Sequence, residues 1–343
     1  MKPVFARALL YAKGVAMGAA DVIPGVSGGT IAFITGIYRE FIGALHKLDH
    51  HALRMLFTGK WGTLWRYINA PFLLTLMLGI FTAVLSLATL ITYLLEAYPV
   101  FLWAFFFGLI VASIVVVFGK FERFRLSLLL FILVGALVAY FVSTSSVIRT
   151  PDTPPFVFMA GVISIMAMIL PGVSGSFLLV VLDKYNYVIG AVSSVSEALR
   201  STASGLFAGD WSGIAVAWAD TQWFVLLMFY LGALTGLIGF SKVLNWLFQR
   251  FYDPTIALLI GFLVGSLSKV WPWKTTVETY TDRHGEVKPL VEENVLPPQL
   301  DDHTLAAVGL ALVGFVLVYG LERLSHRYQT ASKEPATTSS SLV

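Results

Sequence analysis

A short glycine-rich break recurs in this chain at a fixed distance, and it restricts the fold more than any other feature. Ala20-Asp-Val-Ile-Pro-Gly-Val-Ser-Gly-Gly-Thr30 returns 147 residues later as Ala167-Met-Ile-Leu-Pro-Gly-Val-Ser-Gly-Ser-Phe177. Pro24, Gly25, Val26, Ser27 and Gly28 align with Pro171, Gly172, Val173, Ser174 and Gly175 without a gap, and Tyr38 and Ile42-Gly43-Ala44 fall on Tyr185 and Ile189-Gly190-Ala191. Both breaks interrupt apolar stretches. Irregular backbone inside a bilayer persists only where protein buries it or a wet cavity receives it. Found once per half of a membrane chain, such a break is the best sequence pointer to a transporter's substrate site.

Composition supplies the membrane. The chain is 57% hydrophobic and 13% charged, with a mean hydropathy of +0.80. A soluble domain carries about 25% charged residues, so the fold class is an all-α, polytopic integral membrane protein. Cysteine is absent, which removes disulfides, thiolate metal sites and cysteine nucleophiles. The six histidines (46, 50, 51, 284, 303 and 326) show no helical metal-binding spacing, so no metal is expected. No cofactor or ATP-binding motif is present. The basic start, with Lys2, Arg7 and Lys13, is expected to be retained, because Lys13 interrupts its apolar run and Asp21-Val-Ile-Pro24 is a poor cleavage context.

Apolar segments at 72–95, 100–118, 126–144, 223–247, 255–270 and 303–321 approach or reach the ~20 residues that a 30 Å hydrocarbon core requires. Around each break lie two shorter arms, 4–20 with 30–44 and 156–170 with 176–194. These predict two re-entrant hairpins, 4–44 and 156–194. The order is hairpin, three spans, hairpin, three spans, with a first repeat over 1–150 and a second over 151–325. Three is odd, so the second repeat enters the membrane from the opposite side. With both termini cytoplasmic, sixteen Lys/Arg lie inside and seven outside, as the positive-inside rule requires. Downstream, Gly79 pairs with Gly232, and Gly108-Leu-Ile-Val-Ala-Ser113 with Gly261-Phe-Leu-Val-Gly-Ser266, both at an offset of 153. Residues 50–68 carry an apolar stripe suited to one interfacial helix. Residues 274–302 are polar and alternate as a small external hairpin would. The tail, 326–343, is expected to be a disordered cytoplasmic segment.

At a re-entrant tip the next half-helix presents free backbone N–H groups and the positive end of its dipole, which favours phosphate or carboxylate. Gly25, Gly28 and Gly29, with Gly172 and Gly175, let a ligand approach the backbone. Ser27, Thr30, Ser174 and Ser176 add hydroxyls. Arg39 and Lys184 are candidate phosphate contacts, one per face. Asp21 at the first tip and Glu40 beside Arg39 are candidates for ion coupling or for stabilising the tip, since intramembrane acids are costly. The plainer reading of the same residues is that Ser27 and Ser174 cap helices while the glycines allow close packing.

The run Gly18-Ala-Ala-Asp21-Val-Ile-Pro-Gly-Val-Ser-Gly-Gly-Thr30…Gly36-Ile-Tyr38, with Leu170-Pro-Gly-Val-Ser-Gly-Ser-Phe177…Tyr185, resembles the bacterial polyprenyl-phosphate transporter family, formerly a membrane family of unknown function. The resemblance reaches to about residue 325. It implies a flippase in the bacterial cytoplasmic membrane. Such a flippase returns undecaprenyl phosphate, the lipid carrier of peptidoglycan and other envelope polymers, to the inner leaflet by alternating access. Where the family often has a glycine, this chain has Asp183, which puts the role of the Asp183–Lys184 pair in question. Two other functions fit the paired breaks. An undecaprenyl-pyrophosphate phosphatase shares a similar motif, but there an arginine follows the serine, where this chain has Gly28 and Gly175. An ion-coupled transporter of a small soluble anion would use the same half-helix chemistry. The sequence is compatible with coupling to a proton or a sodium ion, and with a homodimer.

Overall fold

A computed structural model describes residues 3–22, 27–145, 147–208, 210–281, 287–297, 299 and 301–331. The first half comprises α1 (Pro3–Asp21), α2 (Gly28–Ile34), α3 (Tyr38–His46), α4 (His50–Phe57), α5 (Trp61–Tyr67), α6 (Ala70–Ala97), α7 (Pro99–Phe118) and α8 (Leu128–Ser143). The second comprises α9 (Pro154–Ile169), α10 (Gly175–Val181), α11 (Tyr185–Ala208), α12 (Trp211–Ala219), α13 (Trp223–Arg250), α14 (Tyr252–Ser266), β1 (Lys274–Thr281), β2 (Val287–Asn294) and α15 (Asp302–Ala331). Pro71, Pro99 and Pro154 stand in the first turns of α6, α7 and α9, where a missing N–H costs nothing and φ is preset.

Among the described residues, α6, α7, α13 and α15 are long and apolar enough to cross a membrane. Leu78, Phe81, Leu130 and Val316 are each 60–65% exposed. Apolar surface this extensive belongs against lipid, not water. The expected third and fifth spans, α8 and α14, hold 16 and 15 residues, about 22–24 Å at ~1.5 Å per residue. The fifth ends at Ser266 rather than at 270, because Leu267–Val270 leave the helix as turns.

Helices pair through glycines that bring backbones together. A Cβ at Gly14 would meet the Leu76 carbonyl, joining α1 to α6, and one at Gly161 would meet the Phe229 carbonyl, joining α9 to α13. The remaining two pairs exchange partners between halves. Gly108 lies against the Ala311 carbonyl, fixing α7 to α15, and Gly261 lies against the Ile132 carbonyl, fixing α14 to α8. Small residues do this in membranes because lipid removes the hydrophobic drive between helices and leaves packing to hold them.

Local geometry repeats between the halves. Tyr98 joins α6 to α7 with φ −139°, ψ 48°, and Phe251 joins α13 to α14 with φ −136°, ψ 58°. Their offset is the same 153 residues that relates Gly79 to Gly232.

Three further expectations change. The second arm of each expected hairpin is not continuous: α2 and α10 stop after seven residues, and a turn separates them from α3 and α11. α10 and α11 meet at 114°. The expected helix over 50–68 is two helices, α4 and α5, because Gly59 takes φ +68° between them. The disorder expected over 326–343 does not hold for its first residues: α15 runs on to Ala331, and 332–343 lie outside the described residues. The polar segment after α14 forms the antiparallel pair β1–β2, with Lys274 opposite Asn294 and Thr281 opposite Val287.

Candidate functional site

Ser27 and Ser174 begin the two seven-residue helices. Both have extended backbone, φ −124°, ψ 137° and φ −97°, ψ 123°, and both accept a backbone N–H from the first turn. That is the N-cap arrangement. At α2 the Ser27 hydroxyl oxygen accepts from Gly29 N at 3.1 Å, while the Asp21 carboxylate accepts from Gly28 N at 2.6 Å. Asp21 thus holds its own negative charge where the α2 backbone would otherwise receive an anion. At α10, Ser174 accepts from Phe177 N, and its hydroxyl lies 3.0 Å from that of Ser176.

The two tips touch. The Ser27 hydroxyl donates to the Met168 carbonyl at 2.8 Å, and Gly172 N–H donates to Thr30 Oγ1 at 2.8 Å. A Cβ at Gly29 would collide with the Ile169 carbonyl, so only glycine admits this approach. Ser27 and Thr30 are each 1% exposed and Ser174 is 7% exposed, whereas Ser176 stands exposed. Gly25 lies outside the described residues. Ser27, Gly29 and Thr30 of the first tip meet Met168, Ile169 and Gly172 of the second, while Asp21 and Gly28 bond within the first tip and Ser174, Gly175 and Ser176 belong to the second.

Arg39, Glu40 and Lys184 stand elsewhere. Arg39 is exposed on α3, its guanidinium 5.2 Å over the Tyr252 ring, and Glu40 accepts from Asn69 Nδ2 at 2.9 Å. Lys184 is fully buried. Its ammonium donates to the Thr150 carbonyl at 2.6 Å and pairs with Asp152 at 2.8 Å, not with the neighbouring Asp183 carboxylate. The same 148–152 segment closes the end of α10, with Ile148 N–H donating to Val181 O and the Thr150 hydroxyl to Leu182 O, both at 2.6 Å. In the first half Lys13, on α1, donates to the Thr35 carbonyl at the end of α2 at 2.7 Å. A cation there complements the negative end of the helix. Sequence spacing gave no hint of Lys13 or Asp152, because both contacts come from other helices and loops.

Asp183 acquires a backbone reason. It takes φ +55°, and Gly36, 147 residues earlier, takes φ +74°. Around both, the hydrogen bonds coincide: Ile37 N–H to Ala32 O at 3.0 Å and Lys184 N–H to Leu179 O at 2.8 Å. Glycine suits the left-handed region, and aspartate is among the few other residues that tolerate it.

Away from the tips, Asp49, His50 and His51 bring one ligand atom each within 4.8 Å. Both Asp49 oxygens are engaged, one by His51 N and Ala52 N and the other by the Tyr67 hydroxyl, so the trio reads as a helix cap.

Long apolar helices and an apolar outer surface define a multi-pass membrane protein, with two paired polar breaks inside its bundle. The family described as VCA0040-like, undecaprenyl phosphate translocase-like, matches residues 17–288. The chain belongs to that family. It is 38% identical over 323 residues to a polyprenyl-phosphate transporter of Vibrio cholerae serotype O1, covering 92% of this chain and 96% of the relative. It is 31% identical over 280 residues to a polyprenyl-phosphate transporter of Staphylococcus aureus, covering 76% and 84% respectively. No solved structure matches the chain significantly.

Proposed function

We propose that the chain is a translocase that returns undecaprenyl phosphate from the outer to the inner leaflet of the bacterial cytoplasmic membrane. Membership of a family whose curated relatives are named polyprenyl-phosphate transporters supports the substrate class. The observation that carries the mechanism is the contact between the two tips, where Ser27 reaches Met168 and Gly172 reaches Thr30. Residues 1–150 and 151–325 act as two repeats of opposite orientation, with both termini cytoplasmic. Each contributes a re-entrant tip. The phosphate passes between the tips while the prenyl tail stays in lipid, because moving a bare phosphate through hydrocarbon is prohibitive.

The hydroxyls of Ser27, Thr30, Ser174 and Ser176 and the amides of Gly28, Gly29, Gly172 and Gly175 receive the headgroup, as does Gly25. Asp21 must give up Gly28 N–H as the phosphate arrives, which makes it the coupling candidate. Arg39 acts from one end by guiding charge, and Lys184 anchors the end of α10 that lies away from the tip. The chemistry is displacement of hydrogen bonds, with no bond made or broken in the lipid.

Purified protein in liposomes should move externally added undecaprenyl phosphate inward and release no phosphate from undecaprenyl pyrophosphate. Ser27→Ala combined with Ser174→Ala should abolish movement. Phosphate release by the intact protein would make it an enzyme instead.

A further inference from the structure

Where α14 ends, two lysines are drawn into a pocket of about 400 Å³ lined by Thr144, Phe177, Lys269, Lys274, Glu292 and Asn294, among others. The side chains of Lys274 and Lys269 are 7% and 17% exposed. Both ammoniums share one oxygen: Glu292 Oε2 lies 3.2 Å from Lys274 Nζ and 3.7 Å from Lys269 Nζ. Lys274 also donates to the Lys269 carbonyl at 2.7 Å and stands 4.2 Å over the Trp103 ring. Lys269 stands 4.6 Å over the ring of Phe177, the residue after Ser176 in the second motif. Glu293, exposed, is the other acid at the rim.

Two largely buried ammoniums that, among the described residues, share one carboxylate oxygen are costly. Burial holds both lysines below the usual range, Lys274 at about 8. A phosphate monoester offers three acceptor oxygens and up to two charges, so it can serve each ammonium with its own oxygen, where Glu292 serves both with one. The pocket also shares Phe177 with the second motif, so an anion held there is next to that tip. A related arrangement closes the far end of α7: Lys120 pairs with Glu322 at 3.2 Å, and both are charged neighbours of Lys13, which caps α2.

We propose that Lys269 and Lys274 form a docking site for a phosphate monoester, which displaces Glu292 before reaching the second tip. Glu292 is the placeholder that keeps the pair soluble and ordered between substrates. The identity of that monoester as a prenyl phosphate rests on the translocase reading. The site itself rests on the pocket.

The test measures uptake of undecaprenyl phosphate by proteoliposomes across a range of lipid fractions, and the heat of inorganic phosphate binding to the same purified protein. Lys269→Gln with Lys274→Gln should raise the half-saturating lipid fraction about a hundredfold, the effect of losing two charge-assisted contacts at about tenfold each, with the maximal rate little changed. Glu292→Gln, which removes the competitor, should lower it. An ion pair with only a structural role would make both variants equally poor. That result, or an unchanged half-saturation in the lysine variant, overturns the proposal. If the unaltered protein moves no lipid, the translocase reading fails. Phosphate heat that is lost in the lysine variant then supports the site with free phosphate as its ligand, and no heat in the unaltered protein overturns it.

Discussion

Gly172 donates its backbone N–H to the Thr30 hydroxyl oxygen at 2.8 Å, across 142 residues of chain. The two motifs that stand apart in sequence are therefore each other's hydrogen-bond partners, and the junction is closed by protein groups. Anything that passes between the tips must first replace these bonds.

Thr30→Val keeps the shape of the side chain and removes the acceptor, leaving Gly172 N–H buried and unpaired. The expected cost is about 1–3 kcal/mol, read as a lower thermal midpoint in detergent. Thr30→Ser restores the oxygen and should recover most of the loss. Equal midpoints for Val and Ser would show that the bond contributes nothing.

Asp183 and Gly36 share a left-handed backbone, so substitutions there should sort by conformational tolerance, not by charge. Asp183→Gly and Asp183→Asn should fold as well as the parent. Asp183→Val should lose about 1–2 kcal/mol, the penalty for a Cβ-branched residue at positive φ. Thermal melts of the three variants decide this, and a melt of Asp183→Asn as low as that of Val would show that the carboxylate is what counts.

The pH dependence follows from Lys274, which burial brings down to about 8. Among the described residues, Lys269, Glu292 and Glu293 are the charged groups around it, with the Trp103 ring on its other side. Phosphate is already doubly ionised above its second pKa of ~6, so raising the pH through about 8 removes the proton from Lys274 and should weaken docking. Stability moves the other way. The unfolded chain holds this proton up to about 10.4, so the contribution of Lys274 is complete above that value and is lost as the pH falls through 8. Affinity for inorganic phosphate and thermal midpoint, measured from pH 7 to 10, should diverge, and Lys274→Gln should flatten both trends.

The exchange of partners between α7–α15 and α14–α8 makes the halves mutually dependent. Residues 1–150 expressed alone should aggregate or be degraded, and co-expression with 151–343 should restore a monodisperse species in size-exclusion chromatography. A folded, monodisperse first half on its own would contradict the observed packing. Gly261→Val, which drives a side chain into the Ile132 carbonyl, should cost at least the ~1–3 kcal/mol typical of overpacking.

The paired breaks, the long spans and the β1–β2 hairpin were legible because each has a local signature: Pro-Gly in an apolar run, unbroken hydropathy, and alternation from Val277 to Thr281. Other features had no local signature. Hydropathy does not identify helix partners when lipid and protein are equally apolar, so the pairing of Gly108 with Ala311 could not be read. The stop after α2 was written in Gly36 but masked in the second half, where Asp183 performs the same turn without the glycine that marks it. Gly59 broke the 50–68 stripe for the same backbone reason. Lys269 and Lys274 read as ordinary loop charges. Only the fold brings them to one carboxylate and to Phe177.

The glycine clasps have a further consequence. α1–α6, α9–α13, α7–α15 and α8–α14 meet backbone to backbone, so their long helices are poorly able to slide or tilt independently. The smallest parts that can yield are α2 and α10, seven residues each, held at the tips by a handful of hydrogen bonds. Work done against the surrounding lipid should then be slight during turnover, and the rate should vary little with the acyl-chain length of the host bilayer.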